Sequence, residues 1–300
     1  MKKFVVENIE KQRIDKFLSE VMDLSRSYIS KMLDDECILL NGQVAKSSSK
    51  VKNGDVIELV KEYKEEISFE PEDIPLDIIF ENENVILINK QSGLVVHPGS
   101  GNNSHTLVNA LLYHTQELSN CNGEERPGIV HRIDKDTTGL ILCAKNNKAH
   151  ELLADNFKNK TIERKYIALV KGVLKHNHIT IDAPIGRDET HRKKMAVTAN
   201  NSKNAITHVK VLKRFSEYTL VECILETGRT HQIRVHMNYI GYPVFNDPLY
   251  SKEVISGFGQ FLHSSEITFE EPITKEKLHF KVELPKIFQD YLEKLEQEIK

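Results

Sequence analysis

A stretch of strong negative charge divides this chain. Residues 61–84, KEYKEEISFEPEDIPLDIIFENEN, carry nine acids against two lysines, a local charge of −7. The whole chain has a net charge of −3, so the remainder carries +4. Repelling carboxylates and the prolines at 71 and 75 disfavour regular structure. Residues 61–75 are therefore expected to link two units, at 1–60 and 76–300. A unit of about sixty residues buries only a marginal core, whereas the longer one can hold a full catalytic domain.

Within the first unit, residues 13–21 and 26–33 have helical periodicity, the second opened by Ser25 as a cap. CILLNG at 37–42 reads as a strand turning at Asn41-Gly42, and VKNGDV turns again into 56–60. Strand-like runs in the second unit fall at 83–90, 93–97, 139–145, 165–172, 206–215 and 218–226. Helical candidates lie at 106–114, 148–157 and 231–239. This irregular grouping is that of an α+β domain built on a mixed sheet. A last helix at 287–299 places Ile287, Tyr291, Leu295 and Ile299 on one face.

Composition narrows the function. With 39% hydrophobic and 28% charged residues, the chain is of the ordinary globular class. No apolar run reaches the roughly 18 residues of a membrane span, and no signal-type core follows Met1, so the cytoplasm is expected. Cys37, Cys121, Cys143 and Cys223 form no CxxC pair, which favours reduced thiols. The motifs GxxxxGK[ST], GxGxxG, HExxH and GxSxG are missing from the sequence. Chemistry with neither cofactor nor metal, carried by Asp, Arg, Tyr, His or Lys side chains, is the expectation. Basic clusters at 157–171 and 187–194 leave RNA binding open despite the overall negative charge.

Three stretches could carry such chemistry. HRIDKDTTGL, at 131–140, wedges charge between the apolar runs GIV and ILCAK. A carboxylate with arginines nearby suits a nucleophile held ionised by a positive neighbour. In LETGRTHQIRVH (225–236), Gly228 permits a sharp turn that sets Arg229 at a strand end, with Arg234 on the helix that follows. ERKYIALVKG (163–172) starts a strand at Tyr166 in a basic context. Read singly, each residue has a structural alternative. Asp134 could cap the amides of Thr137 or Thr138. Arg132 could be a surface residue, Tyr166 a packing residue, and Arg229 and Arg234 backbone caps or phosphate ligands.

Taken together, the blocks resemble a known family. GIVHRIDKDTTGLILCAK (128–145) resembles the catalytic motif of the RluA/RluD family of pseudouridine synthases. INKQSGLVVHPGSG (88–101), ERKYIALVKG and LETGRTHQIRVHMNYIGYPVFNDPLYS (225–251) match its other blocks in order. Gln91 and Ile133 stand where proline and leucine are more usual. RIDKFL, SRSYISKML, ILLNG and VKNGDVI, across residues 12–60, resemble an S4-type RNA-binding domain.

The resemblance implies isomerisation of uridine to pseudouridine in RNA, with no cofactor. It implies Asp134 as nucleophile or glycal-forming base. Tyr166 would stack on the flipped uracil and assist proton removal from carbon 5, and Arg229 would pair with Asp134. Arg132 would enter the RNA stack, and Arg234 would be a further RNA contact. Arg26, Ser27, Lys31, Lys46 and Lys50 would meet phosphates from the S4-type domain. The expected partner is large-subunit (23S) ribosomal RNA or its precursor, and the expected state is a monomer. Alternatives are the same chemistry on transfer RNA, a hydrolase that releases uracil, and a non-catalytic RNA-binding assembly factor.

Overall fold

The computed structural model describes residues 2–298 except 8, 23, 62, 64–68, 100, 101, 122–125, 192 and 256. Two compact units are present, Met1–Ile67 and Ser68–Lys300.

The first unit packs helices Ile14–Met22 and Arg26–Asp34 against a four-stranded sheet. Its strands lie in the order Lys2–Val5, Val56–Leu59, Ile38–Leu40, Gln43–Val44. Ser25 caps the second helix as expected, its Oγ accepting from the Tyr28 N–H at 3.2 Å. Asn41 and Gly42 both have positive φ, the backbone that a tight two-residue hairpin requires. Ile14, Leu18, Ile29, Ile38 and Ile57 are fully buried between helices and sheet.

The second unit is built on a mixed sheet. In spatial order its strands are His178–Asp182, Ile206–Arg214, Tyr218–Leu225, Glu163–Lys171, Leu262–Glu270, Thr138–Ala144, Val85–Lys90 and Ile78–Glu81. Lys277–Lys281 also pairs with Leu262–Glu270. Neighbours run antiparallel except for Leu262–Glu270 beside Thr138–Ala144, which are parallel. Side chains alternate across the strands, so each of the central strands feeds two cores. Ile86, Ile88, Ile141 and Cys143 face helices Leu107–His114 and Gln232–Tyr239 on one side. Val85, Leu87, Leu140 and Leu142 face helix Asn147–Lys158 on the other.

The single parallel pairing depends on Gly139. Its φ is +100°, and a Cβ there would lie 2.2 Å from the Ser264 carbonyl oxygen. Only glycine lets the two backbones approach so closely. That junction fixes where the preceding loop, residues 131–137, leaves the sheet.

Three expectations are corrected. Of the proposed linker, 62 and 64–68 lie outside the described residues, but Phe69 and Ile74 pack on the core of the second unit. The Glu72 N–H donates to the Asn109 carbonyl, so this part of the acidic stretch belongs to the domain. Residues 93–97 form no strand: Gly93 turns at φ +83°, and Val95 makes only an isolated bridge to Thr106. The last helix, Lys286–Gln297, buries Phe288 and Leu295 with Tyr291 and Leu292 partly covered, while Ile287 is exposed. Its apolar face is thus rotated from the expected one, and Ile299 lies outside the described residues. No described helix is long and apolar enough to cross a membrane.

Candidate active site

Where the loop before Thr138–Ala144 meets the N-terminal turn of helix Gln232–Tyr239, a cleft opens. Asp134, Arg132, Tyr166, Arg164, Arg229, His231 and Arg234 all line it. The backbone, not the side chain, of Asp134 closes the local turn: its carbonyl accepts from the Thr137 N–H at 3.1 Å. Its carboxylate is thereby left for other work. Arg234 Nη1 donates to Asp134 Oδ2 at 2.9 Å. The same guanidinium donates from Nε and Nη2 to the two oxygens of Asp247, at 2.6 and 2.8 Å. Asp247 is fully buried and also accepts from the N–H groups of Leu249 and Tyr250. It therefore holds Arg234 in one orientation by a bidentate, charge-assisted pair.

The electrostatics follow from this chain of contacts. Burial works against ionisation of Asp134, but His231, Arg234 and Arg132 outweigh it and hold its carboxyl below the usual value. His231 Nε2 lies 3.9 Å from Asp134, and burial lowers its own pKa, so at neutral pH Arg234 carries most of this effect. Burial would weaken the charge of Arg234, yet its two carboxylate partners raise its pKa.

Tyr166 sits on strand Glu163–Lys171 and is almost fully buried. Burial pushes its phenol pKa up, so it stays protonated at neutral pH. Arg132 reaches outward from the loop, and its Nη1 lies 3.3 Å from His97 Nε2. Since His97 Nδ1 lies 3.0 Å from the Pro98 carbonyl and must donate there, Nε2 is free to accept from Arg132.

One family model, described as RNA pseudouridylate synthase, matches residues 84–239. A second, described as S4 domain, matches residues 12–57. The chain belongs to the RNA pseudouridylate synthase family. It is 46% identical over 291 residues to the uncharacterized RNA pseudouridine synthase YlyB of Bacillus subtilis, covering 96% of both chains. To ribosomal large subunit pseudouridine synthase D of Escherichia coli it is 40% identical, over 97% of this chain and 92% of that one. Among solved structures, human RNA pseudouridylate synthase domain containing 1 superposes with a TM-score of 0.57 at 25% identity. That match covers 72% of this chain and 84% of the other.

Against this synthase geometry, three expectations fail. Arg234, expected as an RNA contact, is buried and bonded to both Asp134 and Asp247. Arg229 does not pair with Asp134; its Nε donates to the Asn204 carbonyl at 2.9 Å, at the side of the cleft. Arg234 takes the place because it lies in the first turn of a helix aimed at the loop, braced from behind by Asp247. The sharp turn expected at Gly228 falls instead at His231, whose φ is 57°.

In the S4 domain, Arg26 donates to Asp15 at 2.9 Å, and Lys46 and Lys50 are exposed. Burial opposes ionisation of Asp15, but bonds from Arg13 and Arg26 hold its pKa down at about 2. Ser27 Oγ lies 3.0 Å from Ser25 Oγ, and Lys31 is exposed on the same helix.

Besides Arg164, which lines the cleft, two residues of the synthase site escaped the sequence reading. Asp247 lies in the block NDPLYS but had no role assigned; an acid inside the apolar run VFNDPLY was the available signal. Lys90 ends the apolar strand VILINK and is fully buried. Its Nζ donates to the carbonyls of Gln91, Leu94 and Lys135, at 2.8, 3.0 and 2.7 Å. Burial lowers its pKa to about 7 against the opposing charges of Asp136 and Asp134. The Lys135 bond ties strand Val85–Lys90 to the residue next to Asp134.

Proposed function

We propose that this synthase isomerises uridines of large-subunit ribosomal RNA, or its precursor, through Asp134. The arrangement that carries the reading is the carboxylate of Asp134, held ionised by Arg234, facing Tyr166 across one cleft. Uracil extruded from the RNA would stack on Tyr166, and Arg132 at the mouth would fill the gap it leaves, which offsets part of the cost of flipping.

Asp134 then attacks C1′ or removes the proton that gives a glycal, and the N1–C1′ bond breaks with its electron pair on uracil. The base turns and C5 bonds to C1′ as the Asp134 ester breaks or as the glycal regains its C2′ proton; the C5 proton then leaves and N1 gains one. Atoms and charge balance without an external reactant. Because its phenol is protonated, Tyr166 can take part in the C5 proton transfer as a relay that hands on its own proton, not as a standing phenolate. The two arginines act differently. Arg234 sets the charge of Asp134, whereas Arg229, at the cleft side, is placed to meet RNA.

The ribosomal target is supported by relatives named ribosomal large subunit pseudouridine synthase D and by the S4 domain, whose Arg26, Ser27, Lys31, Lys46 and Lys50 would contact phosphates. We take the working form to be a cytoplasmic monomer.

Carbodiimide labelling and primer extension on ribosomal RNA from cells lacking the protein tests this. Stops that vanish in the deletion and return with the wild type but not with Asp134→Asn are expected. If no stop in large-subunit RNA depends on the protein, the target is wrong, and transfer RNA takes its place.

A further inference from the structure

One charged group in the cleft has no part in the mechanism above. Arg164 is only 7% exposed, and its Nε is buried with no hydrogen-bond partner. Among the described residues its guanidinium makes no hydrogen bond and no ion pair; it lies over the ring of Phe157, 5.1 Å from Cζ to centroid. An unpaired buried charge is costly, and side chains of this kind are normally paired. Arg164 lines the same cleft as Asp134 and Tyr166.

Its placement is set by the strand. Arg164 and Tyr166 are both buried, with more exposed residues alternating between them, so they share one face of Glu163–Lys171. Two residues along a strand is roughly 6.6 Å, which brings the guanidinium to the edge of a base stacked on Tyr166. Gly228 makes room: a Cβ there would lie 3.1 Å from Arg164 Nη1. Charge indicates what kind of group completes the contact. At the buried end of the cleft, Arg164 and Arg234 are matched by Asp134 and Asp247, whereas Arg132 and Arg229 stand at the mouth and side, where they can meet phosphates. The group that meets Arg164 is therefore expected to be neutral.

We propose that Arg164 donates to a carbonyl oxygen, O2 or O4, of the extruded uracil and fixes the base for reattachment. This rests on the reading of the cleft as the base site. Cytosine carries an amino donor in place of O4, so contact at O4 would also select uracil.

The test compares wild type, Arg164→Met and Asp134→Asn on RNA carrying uridine, 2-thiouridine or 4-thiouridine at the target, by single-turnover rate, RNA affinity and Tm. Arg164→Met is expected to slow the reaction roughly 10–100-fold, the usual effect of losing a hydrogen bond from a charged donor. RNA affinity should change less than about threefold, and Tm should not fall, because an uncompensated charge has been removed. One thio substitution should slow the wild type and have no added effect in Arg164→Met. A wild-type rate in Arg164→Met overturns the proposal, as does a thio penalty that persists undiminished in the variant. A loss of rate accompanied by a fall in Tm also overturns it, since that marks a structural arginine. Activity in Asp134→Asn would instead refute the reading of the site itself.

Discussion

Asp134 and Arg234 are 100 residues apart in the chain, and their side chains meet at 2.9 Å. The same guanidinium is clamped by Asp247, so the position of the Asp134 carboxylate is inherited from a buried pair behind it. The pairing serves two ends, since it lowers the pKa of Asp134 and removes its rotational freedom.

Arg234→Lys should expose both effects. A lysine cannot hold both oxygens of Asp247 and still reach Asp134 with a planar fork. With its cation misplaced, Asp134 rises in pKa, so a reaction that needs the carboxylate is lost at higher pH as the pH falls. The acid limb of kcat/KM should move up by about 1–2 pH units, with kcat down at neutral pH. An unchanged acid limb would show that Arg234 does not set the charge of Asp134.

The two roles proposed for Tyr166 are separable. Tyr166→Phe keeps the ring, so RNA affinity should hold while turnover falls by roughly 100-fold, the scale of a lost proton relay. Tyr166→Leu loses the platform as well, and should weaken productive binding by about 1–3 kcal/mol more. Single-turnover rates over a range of enzyme concentration separate the two. Equal defects in both variants would argue against a stacking role.

Acid should destabilise the second unit well before its carboxylates titrate. Burial lowers His131 to a pKa of about 3 and His263 to about 4, from 6.5 when unfolded. Between about pH 4 and 6.5 the unfolded chain therefore binds two more protons than the folded one, and stability is lost as pH falls through 6.5. The slope is about 2.7 kcal/mol per pH unit from these two groups. Burial lowers His97, His150, His231 and His236 as well, which acts in the same direction. Urea unfolding should give a stability lower at pH 5.5 than at pH 7 by about 2–3 kcal/mol. Equal stability at the two values would mean that these rings are solvated.

Gly139→Ala should be costly out of proportion to one methyl group. The new Cβ would collide with Ser264 backbone at a positive φ, so a loss of roughly 3 kcal/mol is expected. Because the loop that carries Asp134 leaves the sheet here, activity per folded molecule should fall too. Thermal unfolding and the specific rate check both parts.

Much of this was legible in the chain. The sequence blocks held every residue of the cleft except Leu262, and the irregular grouping of strands and helices pointed to the mixed sheet. Choosing between Arg229 and Arg234 was not possible from spacing, because the choice depends on Asp247, brought in from a later loop. Lys90 and Arg164 were opaque for the same reason: a lysine at a strand end and an arginine near Tyr166 read as exposed until the packing buries them. The strand expected at 93–97 failed on backbone geometry, since Gly93 turns the chain before a ladder can form.

Asp134 is proposed to drive rearrangement of uridine without release of the base. Tritium on carbon 5 of uridine must leave when that carbon joins the sugar, so its release from labelled large-subunit RNA reports the reaction directly. The wild type is expected to release tritium with no free uracil, and Asp134→Asn to release none. Free uracil, or tritium released at the wild-type rate by Asp134→Asn, would contradict it.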